Sequence, residues 1–150
     1  MAKKKNANVI FFTCSVVFPL LLMLGCAKKA PEPAERVTEL EGAWIGSPVS
    51  PVDSPQESWI FIVSKNRAIA ALPTGWLRGT FQLDTVASPK QIDIIIQQCY
   101  PQDYVGKTVL AIYKLDGNTL TLAGFEPGVT TRPTSFQKEE GIAIVVFTKQ

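Results

Sequence analysis

The chain contains no histidine. Without one there is no Ser-His-Asp or Cys-His site, and no imidazole to bind zinc or copper or to act as a base near neutral pH. A glycine-rich phosphate loop and an EF-hand series are missing too. So is any amphipathic helix of 10 or more residues. Carboxylates remain, but Glu139 and Glu140 are adjacent and diverge, while Asp93 stands alone on the polar side of its segment. Neither arrangement makes an acid–base pair. These absences argue against an enzyme, and they leave no cofactor and no resident metal to expect.

What is present begins at the N-terminus, where Lys3, Lys4 and Lys5 precede an apolar run of 16 residues, 9–24, interrupted by Pro19. A spanning helix needs about 20 apolar residues, so this order reads as a secretory signal rather than an anchor helix. Leu22-Met23-Leu24-Gly25-Cys26 resembles the lipobox of bacterial lipoproteins, which are cut before the cysteine. The resemblance implies a signal peptide over 1–25, lipidation of Cys26 and membrane attachment through that lipid. More than one acyl chain would be needed for stable anchoring. Ala27 in place of an aspartate resembles lipoproteins sorted to the outer membrane, which sets the expected location as the cell envelope.

Three cysteines occur in the chain. Cys14 would leave with the signal and Cys26 would carry lipid, which strands Cys99 without a disulfide partner in an exported setting. No basic residue adjoins Gln97-Gln98-Cys99-Tyr100, so Cys99 reads as an inert, partly buried thiol. Removing the signal lowers Lys plus Arg from 15 to 12 against 13 acids, a net charge of −1. The positive total therefore resides in the signal, and nucleic acid is not an expected partner.

Residues 26–39 hold Pro31, Pro33 and mixed charges with few large apolar side chains, and read as an extended, hydrated tether. Residues 40–150 are enough for one domain with a modest core. Here the apolar period is near 2. Ile92, Ile94 and Ile96 alternate with polar neighbours, with Ile95 the exception; Phe81 and Leu83, then Leu120 and Leu122, do the same. Residues 42–46, 58–64, 67–72, 109–115 and 142–148 complete a set of eight strands. Lys65-Asn66 and Asp116-Gly117-Asn118 supply hairpin turns, and Ser88-Pro89-Lys90 breaks the chain before the isoleucine strand. The fold class is all-β, and a small eight-stranded up-and-down antiparallel barrel is the simplest way to leave no exposed edge. Short strands with many large apolar residues favour an interior filled by side chains.

Leu40-Glu41-Gly42-Ala43-Trp44, Gly79-Thr80-Phe81-Gln82-Leu83-Asp84, Pro89-Lys90-Gln91-Ile92-Asp93, Gly106-Lys107-Thr108, residues 112–120 and Arg132-Pro133-Thr134-Ser135-Phe136 occur in that order. Together they resemble an uncharacterised paralogous family of small lipocalin-like (calycin-like) domains of planctomycete-type bacteria. The resemblance implies a barrel in an exported setting. Gly42-Ala43-Trp44 also resembles the G-x-W opening of lipocalins, whose tryptophan lies on the barrel floor beneath a late arginine. By that likeness Arg132 is the cation over Trp44, and Gly42, Trp44 and Arg132 form a structural floor that could also touch ligand.

Two irregular stretches are candidates for interaction, because function concentrates on loops held by a scaffold. Residues 47–56 carry Pro48, Pro51 and Pro55; residues 124–141 carry Phe125, Arg132 and Phe136. The leading functional expectation is an anchored binding module for a small apolar ligand. The alternative is an envelope protein–protein interaction or inhibitor lipoprotein without a ligand cavity.

Overall fold

The computed structural model describes residues 38–50 and 57–150. Its strands are β1 (Gly42–Ser50), β2 (Trp59–Ser64), β3 (Arg67–Leu72), β4 (Gly75–Asp84), β5 (Lys90–Tyr100), β6 (Thr108–Asp116), β7 (Thr119–Gly124) and β8 (Ala143–Lys149). Each is antiparallel to its sequence neighbours, and β8 returns to pair with β1, which closes an eight-stranded up-and-down barrel. Closure leaves no free edge to template association. Gln102–Tyr104 forms a single 3-10 turn between β5 and β6. Cys26, Pro51 and Pro55 lie outside the described residues.

The alternation seen in the sequence sorts the side chains. Phe81, Ile92, Ile94 and Tyr113 face a common core with Trp44, Phe61, Leu120 and Phe147. Ile95 breaks the pattern because it points outward, where it is 38% exposed. β5 itself shifts register against β4 between Arg78 and Gly79: Gly79 pairs with Ile96 and Arg78 with Gln98, so Gln97 is an extra residue. That bulge turns Cys99, rather than its neighbours, inward opposite Leu77.

Large and small inward residues segregate along the barrel. At the end where β1 begins and β8 ends, Leu40, Trp44, Phe81, Ile92, Tyr113 and Leu120 fill the interior. Toward the opposite end the inward positions include Ala70 and Ala111, and Ala111 pairs with Gly124. One end is therefore plugged. The other holds a cavity of about 600 Å³. The expected filled interior is thus corrected: small residues on β3, β6 and β7 leave space that the plug residues do not reach.

Residues 125–142 fold back as a strap over the outer wall. Phe125 and Phe136 pack on Ile112, Ala123, Ile142 and Ile144, a second core outside the barrel. On the outer face of β1, β2 and β3, Ile45 pairs with Ile60 and Ile62 with Ile69, and all four are 38–40% exposed.

Candidate functional site

The plug starts before the first strand. Glu41 donates its backbone N–H to the Thr38 carbonyl at 3.0 Å, a turn that drops Leu40 into the barrel axis. The Trp44 indole N–H then donates to the Leu40 carbonyl at 2.8 Å, satisfying both groups in a fully buried setting. The cation over the Trp44 ring is Lys149, with Nζ 5.2 Å from the ring centroid. Trp44 and Lys149 are register partners across the β1–β8 seam. Gly42, at φ +131°, makes this possible, since a Cβ there would stand 2.9 Å from the Lys149 Cε.

Arg132 does not serve as that cation. Its guanidinium donates to the Ala111 carbonyl at 2.6 Å and the Ile92 carbonyl at 3.3 Å, and it pairs with the Asp93 carboxylate. Asp93 alternates with inward Ile92 and Ile94, so the guanidinium lies on the outer wall. The likeness to a lipocalin floor selected the earlier of two late cations, Arg132 rather than Lys149, because barrel closure, not nearness to the proline turn, decides which one meets Trp44. Arg132 instead staples the strap. Arg132→Ala is expected to free it, costing about 1.5–3 kcal/mol from the lost charge-assisted bonds. Limited proteolysis within residues 125–141 should speed up by about tenfold to a hundredfold, as a local opening of that cost requires; unchanged cleavage would contradict the staple.

Pro48 also departs from its expected place. It is buried within β1 and pairs with Val145, so it belongs to the wall rather than to a loop. Phe125 and Phe136 do lie on the long connection, but their rings are spent on the outer core. Phe125 additionally borders the cavity.

A further floor contact joins Glu39 to the barrel. Tyr113 donates its hydroxyl to the Glu39 carboxylate at 2.6 Å, and Lys90 Nζ reaches the same carboxylate at 2.9 Å. The Tyr113 bond and then Lys90 hold the Glu39 carboxyl below its ordinary 4.5. Burial, followed by the bond to Glu39, pushes the Tyr113 phenol well above its usual range, so it remains a donor. Glu39 ends the polar tether segment in sequence, and no local pattern marks it as a floor residue. A lowered folded-state pKa stabilises fully above the ordinary carboxylate range, and the stabilisation is lost as pH falls through the folded value. Glu39→Gln is therefore expected to cost about 1 kcal/mol at neutral pH. The gap in urea midpoint between variant and parent should narrow as pH falls below the ordinary carboxylate range and through the lowered folded value.

The cavity is the remaining candidate. Its deep wall is Phe61, Ile94, Val109, Leu122, Val145 and Phe147, and the Phe61 and Phe147 rings lie 5.8 Å apart between centroids, tilted by 39°. Cys99, 7% exposed, joins this wall. Trp59 is packed inward nearer the mouth, and Tyr104 with strap residues Glu126, Glu139 and Glu140 forms part of the rim. Tyr104 gives its hydroxyl to the Glu126 carboxylate, which raises the phenol pKa above its usual range. A volume of about 600 Å³ is within the span of small-molecule sites. A second hollow of about 480 Å³ lies outside the barrel, between strap residues 128–130 and the outer faces of β4, β5 and β6.

Among the described residues, no group of three or more His, Cys, Asp or Glu is placed to hold a metal ion. The fold and site define a closed antiparallel barrel, plugged at one end and open to an apolar chamber at the other. Comparison with protein-family models, with curated proteins and with solved structures gives no match.

Proposed function

We propose that this chain is a lipid-anchored, non-enzymatic binding module of the bacterial cell envelope whose barrel takes a small apolar ligand. The observation that carries the reading is the apolar cavity with its single plugged end. A chamber walled by Phe61, Ile94, Leu122, Val145 and Phe147 is costly to fill with water and favourable to fill with hydrocarbon, at about 25 cal/mol per Å² of apolar surface removed from solvent. The lipobox-like Leu22-Met23-Leu24-Gly25-Cys26 supports the anchor, and the ordered motifs of residues 40–148 support membership of the lipocalin-like group. Thr38–Leu40 belong to the plugged end of the barrel.

A second reading has its own observation. The bare wall of Ile45, Ile60, Ile62 and Ile69 is an apolar surface that suits a protein partner, and it moves the interaction hypothesis from the long loops to β1, β2 and β3.

Native mass spectrometry separates the two. The chain from Pro33 to Gln150 is one compact unit holding the closed sheet and its whole core, so it can be exported without the lipid and purified. An extra mass that disappears on denaturation, together with uptake of the neutral dye N-phenyl-1-naphthylamine, is the expected result. A bare chain that also excludes the dye would overturn the ligand reading.

A further inference from the structure

The charged side chains that line the cavity are of one sign, with the Lys107 ammonium just outside them over the Tyr104 ring. Among the described residues lining the cavity, the ionised ones are Glu126, Glu139 and Glu140, and none is Lys or Arg. Aromatic faces accompany them in Trp59 and Tyr104, and the Tyr104 hydroxyl is committed to Glu126. Below this rim the wall is hydrocarbon. A fatty acid entering tail-first would leave its carboxylate against three others, and a neutral alcohol could donate a single hydrogen bond to them but would gain no charge attraction. An ammonium would gain both from the carboxylates and from the aromatic quadrupoles. The chain itself shows the stereochemistry: Lys107 Nζ lies 4.9 Å from the Tyr104 ring centroid, on the ring whose hydroxyl binds Glu126.

We infer that the cavity selects cationic amphiphiles, with the apolar tail inside the barrel and an ammonium head held at Glu126, Glu139 and Glu140 beside the Trp59 ring. This inference rests on the cavity being a ligand site and adds the charge class of the ligand. The apolar chamber supplies affinity that any tail of suitable size shares. The rim supplies the preference, and because these carboxylates are exposed it is moderate and screened by salt.

The test displaces N-phenyl-1-naphthylamine from the Pro33–Gln150 unit with three ligands of one chain length: decyltrimethylammonium, decanol and decanoate, each below its micelle concentration. The expected order is ammonium, then alcohol, then carboxylate, with about a tenfold gap between the charged pair at low salt that narrows as salt is raised. In the triple variant Glu126→Gln, Glu139→Gln, Glu140→Gln that ratio should fall to about one, and any binding it retains reports that it is folded. Equal or tighter binding of decanoate by the parent overturns the charge preference while leaving the cavity reading in place. Failure of the dye and of all three ligands to enter overturns the cavity reading itself.

Discussion

Trp44→Ala should lower the unfolding free energy by about 3–5 kcal/mol, a large share of the 5–15 kcal/mol that a typical domain has in total. The indole is wholly buried at the plugged end, and three things depend on it. It fills the barrel axis beside Phe61 and Phe147; its N–H satisfies the buried Leu40 carbonyl; and its face receives the Lys149 ammonium. Removal leaves a cavity that β1 cannot collapse to fill, since β1 is paired on both sides by β2 and β8. Trp44→Phe separates the parts. Most of the apolar area returns but the Leu40 carbonyl stays unpaired, so a smaller cost of about 1–3 kcal/mol is expected. Urea titrations followed by the fluorescence of Trp59 and Trp76 report both variants. Near-parent stability of Trp44→Ala would remove the indole from the plug.

The strands were legible because each carries its own alternation. Ile92, Ile94 and Ile96, Phe81 and Leu83, and Leu120 and Leu122 need no partner to be recognised, and all lie in the strands assigned to them. β1 runs longer than expected, to Ser50, because Pro48 resembles a loop residue locally yet is held in the ladder by β8. What stayed hidden depends on closure. Whether Arg132 or Lys149 meets Trp44 is fixed by the β1–β8 register, which joins the two ends of the barrel. The strap's course over Ile112, Ala123 and Ile144 is equally nonlocal. The cavity lay between these cases. Ala70, Ala111 and Gly124 are visibly small, but only the closed sheet brings them to the same end.

Cys99 shows how a single inserted residue redirects chemistry. Counting by twos from Ile92 reaches Ile96 and then Gln98, and it leaves Cys99 outside; the extra Gln97 opposite Arg78 and Gly79 brings the thiol into the cavity wall. The thiol is buried as sequence suggested, and it borders the chamber that a ligand would occupy.

Gly79→Ala should be as damaging as loss of Trp44, by the opposite route of adding an atom. An ideal Cβ at Gly79 would stand 1.9 Å from the Ile95 carbonyl oxygen and 2.8 Å from its carbon. Both are main-chain atoms of the paired strand, so no rotamer change relieves the clash and the ladder must part. The cost of such overpacking is typically about 1–3 kcal/mol, and a backbone neighbour that cannot yield puts this site at about 3 kcal/mol or more. The damage is also directional. Opening the bulge releases the register that places Cys99 opposite Leu77, so Cys99 should react with a hydrophilic maleimide faster than in the parent, even in conditions where the barrel remains folded. Thr80→Ala, one residue further along the same strand, removes atoms rather than adding them and should leave the thiol protected. An alanine at 79 tolerated within about 0.5 kcal/mol, with Cys99 still unreactive, would mean that the close approach of β4 and β5 is not what sets the cavity wall.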